Sequence, residues 1–147
     1  MSELLEKILD KKNMNEAYKK VCANKGAGGT DGMELGELDG YIRKNWDSIR
    51  EQIRERSYKP QPVRRVEIPK PDGSKRKLGI PTVMDRVIQQ GIAQVISPMC
   101  EPLFSENSYG FRPNRSCEMA VREMLIFLNE GYEWIVDIDL EKFFDNV

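Results

Sequence analysis

Hydrophobic spacing divides the chain into stretches of different period. Leu35, Leu38, Ile42, Trp46, Ile49 and Ile53 recur at three- and four-residue steps, which places one apolar stripe on a long helix that Pro60 and Pro62 terminate. Met14 to Asn24 reads as a shorter helix. It runs into Lys25-Gly-Ala-Gly-Gly-Thr-Asp-Gly32, where closely spaced glycines break any regular element. Val83, Val87, Ile88, Gly91, Ile92, Val95, Ile96 and Met99 predict a well-buried helix that stops near Pro98 to Pro102. A last helical stripe, Ala120, Val121, Met124, Leu125 and Leu128, follows a cap at Asn114 or Ser116 and is closed by Gly131.

Two other stretches have the period of a strand. Val63-Arg-Arg-Val-Glu-Ile68 and Lys75-Arg-Lys-Leu-Gly-Ile80 flank Pro71-Asp-Gly-Ser74, and Asp-Gly between short alternating runs is a strong local signal for a hairpin. From Trp134 to Asp139 a strand is expected, with Asp137 and Asp139 projecting from the same face. The whole is therefore α+β: helix-dominated, with a basic two-stranded finger and one late strand.

Composition narrows the chemistry. At 147 residues the chain has the size of one domain, and no stretch approaches the roughly 20 apolar residues of a membrane span. The N-terminus lacks the basic and apolar regions of a secretory signal, so the cytoplasm is the expected location. Cys22, Cys100 and Cys117 are odd in number and widely spaced, and the chain has no histidine. A disulfide framework, a Cys/His zinc site and catalysis by an imidazole base are thereby set aside. Any chemistry must rest on carboxylates, lysine, arginine or metal.

The net charge of −1 conceals segregation, because positions 42–77 hold 12 Lys/Arg against 5 Asp/Glu. A basic stretch followed by an acidic C-terminal end can bind a polyanion at one place and cations at another, or can simply be a solvated surface. Arg43, Arg50, Arg54 and Arg56 fall largely off the apolar stripe of the long helix. The glycine-rich loop does not match a P-loop, and tight turning competes there with ligand contact. The Asp137/Asp139 pair suits a hard cation such as Mg²⁺, or is an exposed strand end with both acids solvated.

The order of four segments is more specific than any of them alone. Gly-Gly-Thr-Asp-Gly32, then Ile68-Pro-Lys-Pro-Asp-Gly-Ser-Lys-Arg-Lys-Leu-Gly-Ile-Pro-Thr-Val-Met-Asp-Arg86, then Ser108-Tyr-Gly-Phe-Arg-Pro-Asn-Arg-Ser116, then Asp137-Ile-Asp-Leu-Glu-Lys-Phe-Phe-Asp-Asn-Val147 resembles bacterial group II intron reverse transcriptases over essentially the whole chain. The resemblance implies the helix-rich fingers of a right-hand polymerase, with residues 1–132 as N-terminal extension and fingers and 133–147 as the beginning of the palm. It implies Asp139 as the catalytic carboxylate and metal ligand, the Leu140 carbonyl as a second metal ligand, and Phe144 as a gate against a ribose 2′-hydroxyl. Asp137 becomes a helper or bystander, and Asp145 caps a following helix.

By the same resemblance Lys70 and Arg76 contact the triphosphate of an incoming nucleotide, Arg76 by its planar fork and Lys70 as a point charge. Arg112 and Arg115 contact template or nucleotide, or else Arg112 braces its loop. Lys25, Arg43, Arg50, Arg64 and Arg65 are available for sequence-independent RNA backbone contacts. The implied activity is RNA-directed DNA synthesis with two Mg²⁺ ions, a DNA primer, an RNA template and dNTPs, together with binding of intron RNA and assistance to its splicing. A non-catalytic RNA-binding module, or the reverse transcriptase of a retron, diversity-generating or CRISPR-associated system, is the alternative. The family's Tyr-x-Asp-Asp tetrapeptide is absent from the sequence. The chain is therefore expected to be a truncated, inactive fragment whose unpaired last strand leads to self-association or to disorder at its C-terminal end.

Overall fold

The computed structural model describes residues 2–71, 73–140 and 143. Among the described residues five helices and one hairpin follow in order: α1 (Glu3–Ile8), α2 (Lys11–Ala23), α3 (Leu38–Arg54), β1 (Arg64–Pro69), β2 (Lys75–Ile80), α4 (Val83–Cys100), a 3₁₀ turn (Glu101–Leu103) and α5 (Cys117–Asn129). They divide into two units, Met1–Pro102 and Leu103–Val147. Mixed helix with a hairpin agrees with the expected α+β class.

In the first unit α2 begins earlier than its apolar pattern, because the Asp10 carboxylate accepts the Lys12 and Asn13 amide hydrogens at 2.9 and 3.2 Å and so caps the helix. Helix α3 likewise ends at Arg54, well before Pro60. Arg56 turns into the left-handed region (φ 59°). The Ser57 and Arg56 amides then bond the carbonyls of Gln52 and Ile53 at 2.8 and 3.1 Å, which is the 6→1 and 5→2 pattern of a Schellman stop.

The core gathers Met14, Ala17 and Val21 of α2, Leu38 and Ile49 of α3, and Val83, Met84 and Val87 of α4. Helices α2 and α4 cross closely at Gly91, where an added Cβ would lie 2.7 Å from the Met14 sulfur. The Asn13 amide donates to the Gly91 carbonyl at 3.0 Å, and the Gln94 amide returns to Asn13 at 2.8 Å. Only the first half of α4 is buried, contrary to the expectation of a well-buried helix. Ile92, Ile96 and Met99 are exposed beyond the crossing, since α2 covers only one flank of a helix that is apolar over a wide arc.

Two of the four arginines expected off the α3 stripe are half-buried. Arg54 forks onto Glu6 of α1 at 2.7 and 3.1 Å, and Arg50 is partly enclosed. Arg43 pairs with Asp39 one turn back at 2.9 Å.

In the second unit the Ser116 hydroxyl caps α5 by accepting the Met119 amide at 3.3 Å. Gly131 (φ 96°) closes it with the same two-bond stop, from the Gly131 and Tyr132 amides to Leu128 and Phe127. Residues 133–140 form no strand, because among the described residues no neighbouring segment lies alongside to accept and donate the ladder bonds that define one. Among the described residues of this unit none is buried.

Candidate functional site

The hairpin pairs Arg64 with Ile80, Val66 with Leu78 and Ile68 with Arg76 on one face, and Arg65 with Gly79, Glu67 with Lys77 and Pro69 with Lys75 on the other. Alternation thus sorts the side chains. One face is an aliphatic patch ending in two guanidinium groups, and the other is charged. On the charged face Glu67 and Lys75 form an ion pair at 2.9 Å. Lys70 sits in the turn, which closes through the Lys70 amide to the Ser74 carbonyl at 2.7 Å and the Gly73 amide to the Lys70 carbonyl at 3.0 Å. Gly73 has φ 82°, a conformation that glycine adopts without a steric cost. Lys70 and Arg76 are both exposed, and among the described residues neither has an ion-pair partner. A hairpin turn that carries exposed cations is suited to a compact polyanion.

The base of the hairpin holds a group whose role the sequence did not disclose. Asp85 is buried on the first turn of α4. Its carboxylate accepts the Tyr58 hydroxyl at 2.7 Å, the Gln61 amide at 3.0 Å and the Thr82 hydroxyl at 2.6 Å. Thr82 in turn caps α4 by accepting the Asp85 amide at 3.2 Å. Burial, with the Asp85 carboxylate beside it, pushes the Tyr58 phenol far above its ordinary range, so it stays a donor.

The glycine-rich loop packs against the same place. Its Thr30 hydroxyl donates to the Pro62 carbonyl at 2.8 Å, and Arg86 donates to the Ala27 carbonyl at 2.6 Å. Gly29 is buried so close to α4 that a Cβ would lie 2.6 Å from the Thr82 Cα. The tight-turn reading of this loop is therefore incomplete, since its glycines also permit close approach. The signal was present in the sequence only as two motifs, Gly-Gly-Thr-Asp-Gly and Pro-Thr-Val-Met-Asp-Arg, about fifty residues apart.

In the second unit Arg112 and Arg115 are half-buried and engaged with their own loop. Arg112 donates to the carbonyls of Ser105 and Ser108 at 2.6 and 3.0 Å and lies 5.3 Å from the centre of the Phe104 ring. Arg115 reaches the Glu106 carboxylate at 2.8 Å and its carbonyl at 3.0 Å, and lies over Tyr109. The loop they brace holds Phe111 (φ 56°) and Asn114 (φ 58°) in the left-handed region.

Asp137 and Asp139 are both exposed, as is Leu140. Their oxygens are the hard donors that Mg²⁺ takes, and a pair of carboxylates is a sufficient protein contribution where substrate phosphates complete the shell. Among the described residues there is no group of three or more carboxylate or thiol side chains placed to hold an ion. Phe144 and Asp145 lie outside the described residues. None of the described helices is long and apolar enough to cross a membrane.

Comparison with known proteins matches residues 68–147 to the family described as reverse transcriptase (RNA-dependent DNA polymerase). The chain is 37% identical over 132 residues to the group II intron-encoded protein LtrA of Lactococcus lactis subsp. cremoris, covering 89% of this chain and 22% of LtrA. It is 34% identical over 153 residues to protein YkfC of Escherichia coli strain K12, covering all of this chain and 40% of YkfC. It is also 36% identical over 132 residues to a 91 kDa protein in the cob intron of Schizosaccharomyces pombe, covering 89% of this chain and 16% of that protein. The chain thus spans well under half the length of these relatives.

Proposed function

The chain belongs to the reverse transcriptase family, and on that premise we propose that it forms the nucleotide-gripping part of a group II intron protein that copies RNA into DNA and assists intron splicing. The observation that carries this reading is the hairpin tip, where Lys70 and Arg76 stand exposed without an ion-pair partner among the described residues. A nucleoside triphosphate presents several negative charges in a small volume, and two exposed cations close together in the hairpin neutralise them. Arg76 forks onto two phosphate oxygens, and Lys70 follows as a mobile point charge.

Asp139 and the Leu140 carbonyl are the residues we assign to metal binding, with Asp137 assisting. Two magnesium ions would supply charge stabilisation for the entering primer 3′-oxygen and the leaving pyrophosphate. Phe144 is assigned to exclude ribonucleotides. Because their guanidinium groups are committed to the 105–109 loop, Arg112 and Arg115 serve chiefly by shaping the entry to α5, with any template contact secondary. RNA is the polyanion expected along the basic 42–77 segment.

Primer extension on poly(rA) with an oligo(dT) primer tests these roles in the protein as its gene encodes it. Asp139→Asn is expected to abolish extension while RNA retention on a filter stays unchanged. Lys70→Ala and Arg76→Ala should each raise the KM for dTTP by about tenfold or more, the loss of one charge-assisted contact. Residues 1–147 alone are expected to bind RNA in a salt-dependent way without extending the primer. Full extension by Asp139→Asn would remove the metal assignment, and extension by residues 1–147 would show that two carboxylates suffice.

A further inference from the structure

The hairpin leaves and rejoins the helical unit through two stems, residues 61–63 on the way in and 81–82 on the way out. Between them the strands pack chiefly on each other, and Ile68 and Leu78 remain 44% and 42% exposed. A two-stranded ribbon with so little covering has no sheet to define its direction. The direction is set where the stems are held.

A single carboxylate holds both stems. One oxygen of Asp85 accepts the Gln61 amide of the incoming stem at 3.0 Å and the Thr82 hydroxyl of the outgoing stem at 2.6 Å. Its other oxygen accepts the Tyr58 hydroxyl at 2.7 Å, which ties the end of α3 to the same point. The glycine-rich loop adds a strap through Thr30 to Pro62 and a close fit of Gly29 under Thr82. Valine 63 closes the mouth, since a Cβ at Gly79 would lie 2.8 Å from a Val63 methyl carbon.

We propose that Asp85, with Tyr58 and Thr82, is a clamp that aims the hairpin and is therefore a positioning group for nucleotide binding. The proposal rests on the reading of Lys70 and Arg76 as the triphosphate grip. It gives a purpose to a buried carboxylate with three donors at a place where a hydrophobic residue would fill the same space. A buried carboxylate that joins the 58–61 connection to the start of α4 fixes their relative placement, because losing the Tyr58 hydroxyl removes the donor to one of its oxygens. Misplacing a reacting or binding group by about 1 Å can cost up to a hundredfold in rate, so small tilts of the finger matter at its tip.

Tyr58→Phe is the first test, because it removes one donor and keeps the ring. Asp85→Asn is the second and removes the charge. Nitroxides at Lys77→Cys and Ser48→Cys, with Cys22, Cys100 and Cys117 replaced, report the hairpin-to-α3 distance. Primer extension on poly(rA)/oligo(dT) reports kcat and the KM for dTTP. The clamp predicts a broadened distance distribution and a KM for dTTP raised about tenfold in Tyr58→Phe, with the KM for primer–template unchanged. Lys70→Ala and Arg76→Ala should raise the same KM with no broadening.

An unchanged distance distribution in Tyr58→Phe overturns the clamp, even if Asp85→Asn fails to fold. Broadening with an unchanged KM for dTTP overturns the positioning role, provided the Lys70 and Arg76 variants do raise it. If those two variants leave the KM unaltered, the triphosphate reading falls, and broadening in Tyr58→Phe then measures the clamp by itself.

Discussion

The two units put their apolar residues to opposite uses. In Met1–Pro102 three helices meet over Leu38, Val83 and Val87, which are 0%, 0% and 1% exposed, and the polar group in their midst, Asp85, has its donors in place. In Leu103–Val147 the helix α5 is apolar on almost every turn, yet Val121, Met124, Leu125 and Phe127 are 41–55% exposed and Trp134 is 94% exposed. Hydrophobicity of sequence is common to both; closure is not. A helix that is apolar all round gains stability only where surface meets it from several sides, and in the second unit the described residues provide little such surface. The loop of Arg112 and Arg115 is held there by hydrogen bonds and cation–ring contacts, which need no buried core.

Truncation should separate the units most strongly. Leu38→Ala and Val87→Ala are expected to lower the unfolding free energy by about 2–5 kcal/mol, the transfer loss plus the cavity left behind. Leu125→Ala, at a site 51% exposed, should change it by less than about 0.5 kcal/mol. Urea unfolding followed by circular dichroism reads both. A Leu125→Ala cost equal to that of Leu38→Ala would mean that α5 is covered in solution, and the contrast between the units would dissolve.

A smaller effect follows from the glycines. Gly29→Ala forces a Cβ to within 2.6 Å of the Thr82 Cα and 2.8 Å of its nitrogen, backbone atoms with nowhere to move. A loss of about 1–3 kcal/mol is expected, the usual cost of overpacking. Gly110→Ala meets nothing within 4 Å and should be close to neutral. Melting temperatures of the two variants compare the tightness of the first unit with the openness of the second. A neutral Gly29→Ala would show that the loop yields, and that α4 is not held as closely as the geometry implies.

Legibility in the sequence followed the same division. Helices α3 and α4 of the first unit could be read from period, because each has a buried stripe facing the core, and α2 was read as a helix from Met14; α1, which has no buried residue, was not anticipated. Their ends were displaced where backbone and side chain overrode composition, as with Asp10 before α2 and the left-handed Arg56 after α3. The stripe of α5 was equally clear, but period does not say whether a stripe is covered. The expected strand from Trp134 to Asp139 failed for a related reason: alternation fixes which side chains share a face, whereas a strand requires a neighbour. Lys70 and Arg76 were found from the family resemblance and stand where a hairpin tip places them. Asp85 escaped notice because Tyr58 and Gln61 lie 27 and 24 residues before it in the α3–β1 connection, and only its Thr-x-x-Asp spacing with Thr82 at the start of α4 could be read locally.

The weakest joint of the first unit should be its N-terminal helix, and acid is the way to open it. Helix α1 has no buried residue. It is tied to the end of α3 by Glu6, whose oxygens receive Arg54 at 2.7 and 3.1 Å. The hydrogen bond from Arg54, opposed by partial burial and aided by its charge, holds the Glu6 carboxyl below the usual carboxylate range, and Arg54 is correspondingly raised. Glu3 is lowered too, by the hydrogen bond from Lys7. A group whose folded pKa is depressed stabilises fully above its unfolded value, near 4.3, and loses that contribution as pH falls through the folded value. Amide protection in α1 is therefore expected to drop below about pH 4 while protection in α2 and α4, anchored by the buried core, persists. Glu6→Gln should show the lowered α1 protection already at neutral pH and a flatter dependence on acid. If α1 in the unaltered chain keeps its protection factors down to about pH 3, well under the ordinary carboxylate range, the Glu6–Arg54 fork is not what holds it, and the exposed helix must be retained by the packing of Leu9 against the core side of α2 and α4.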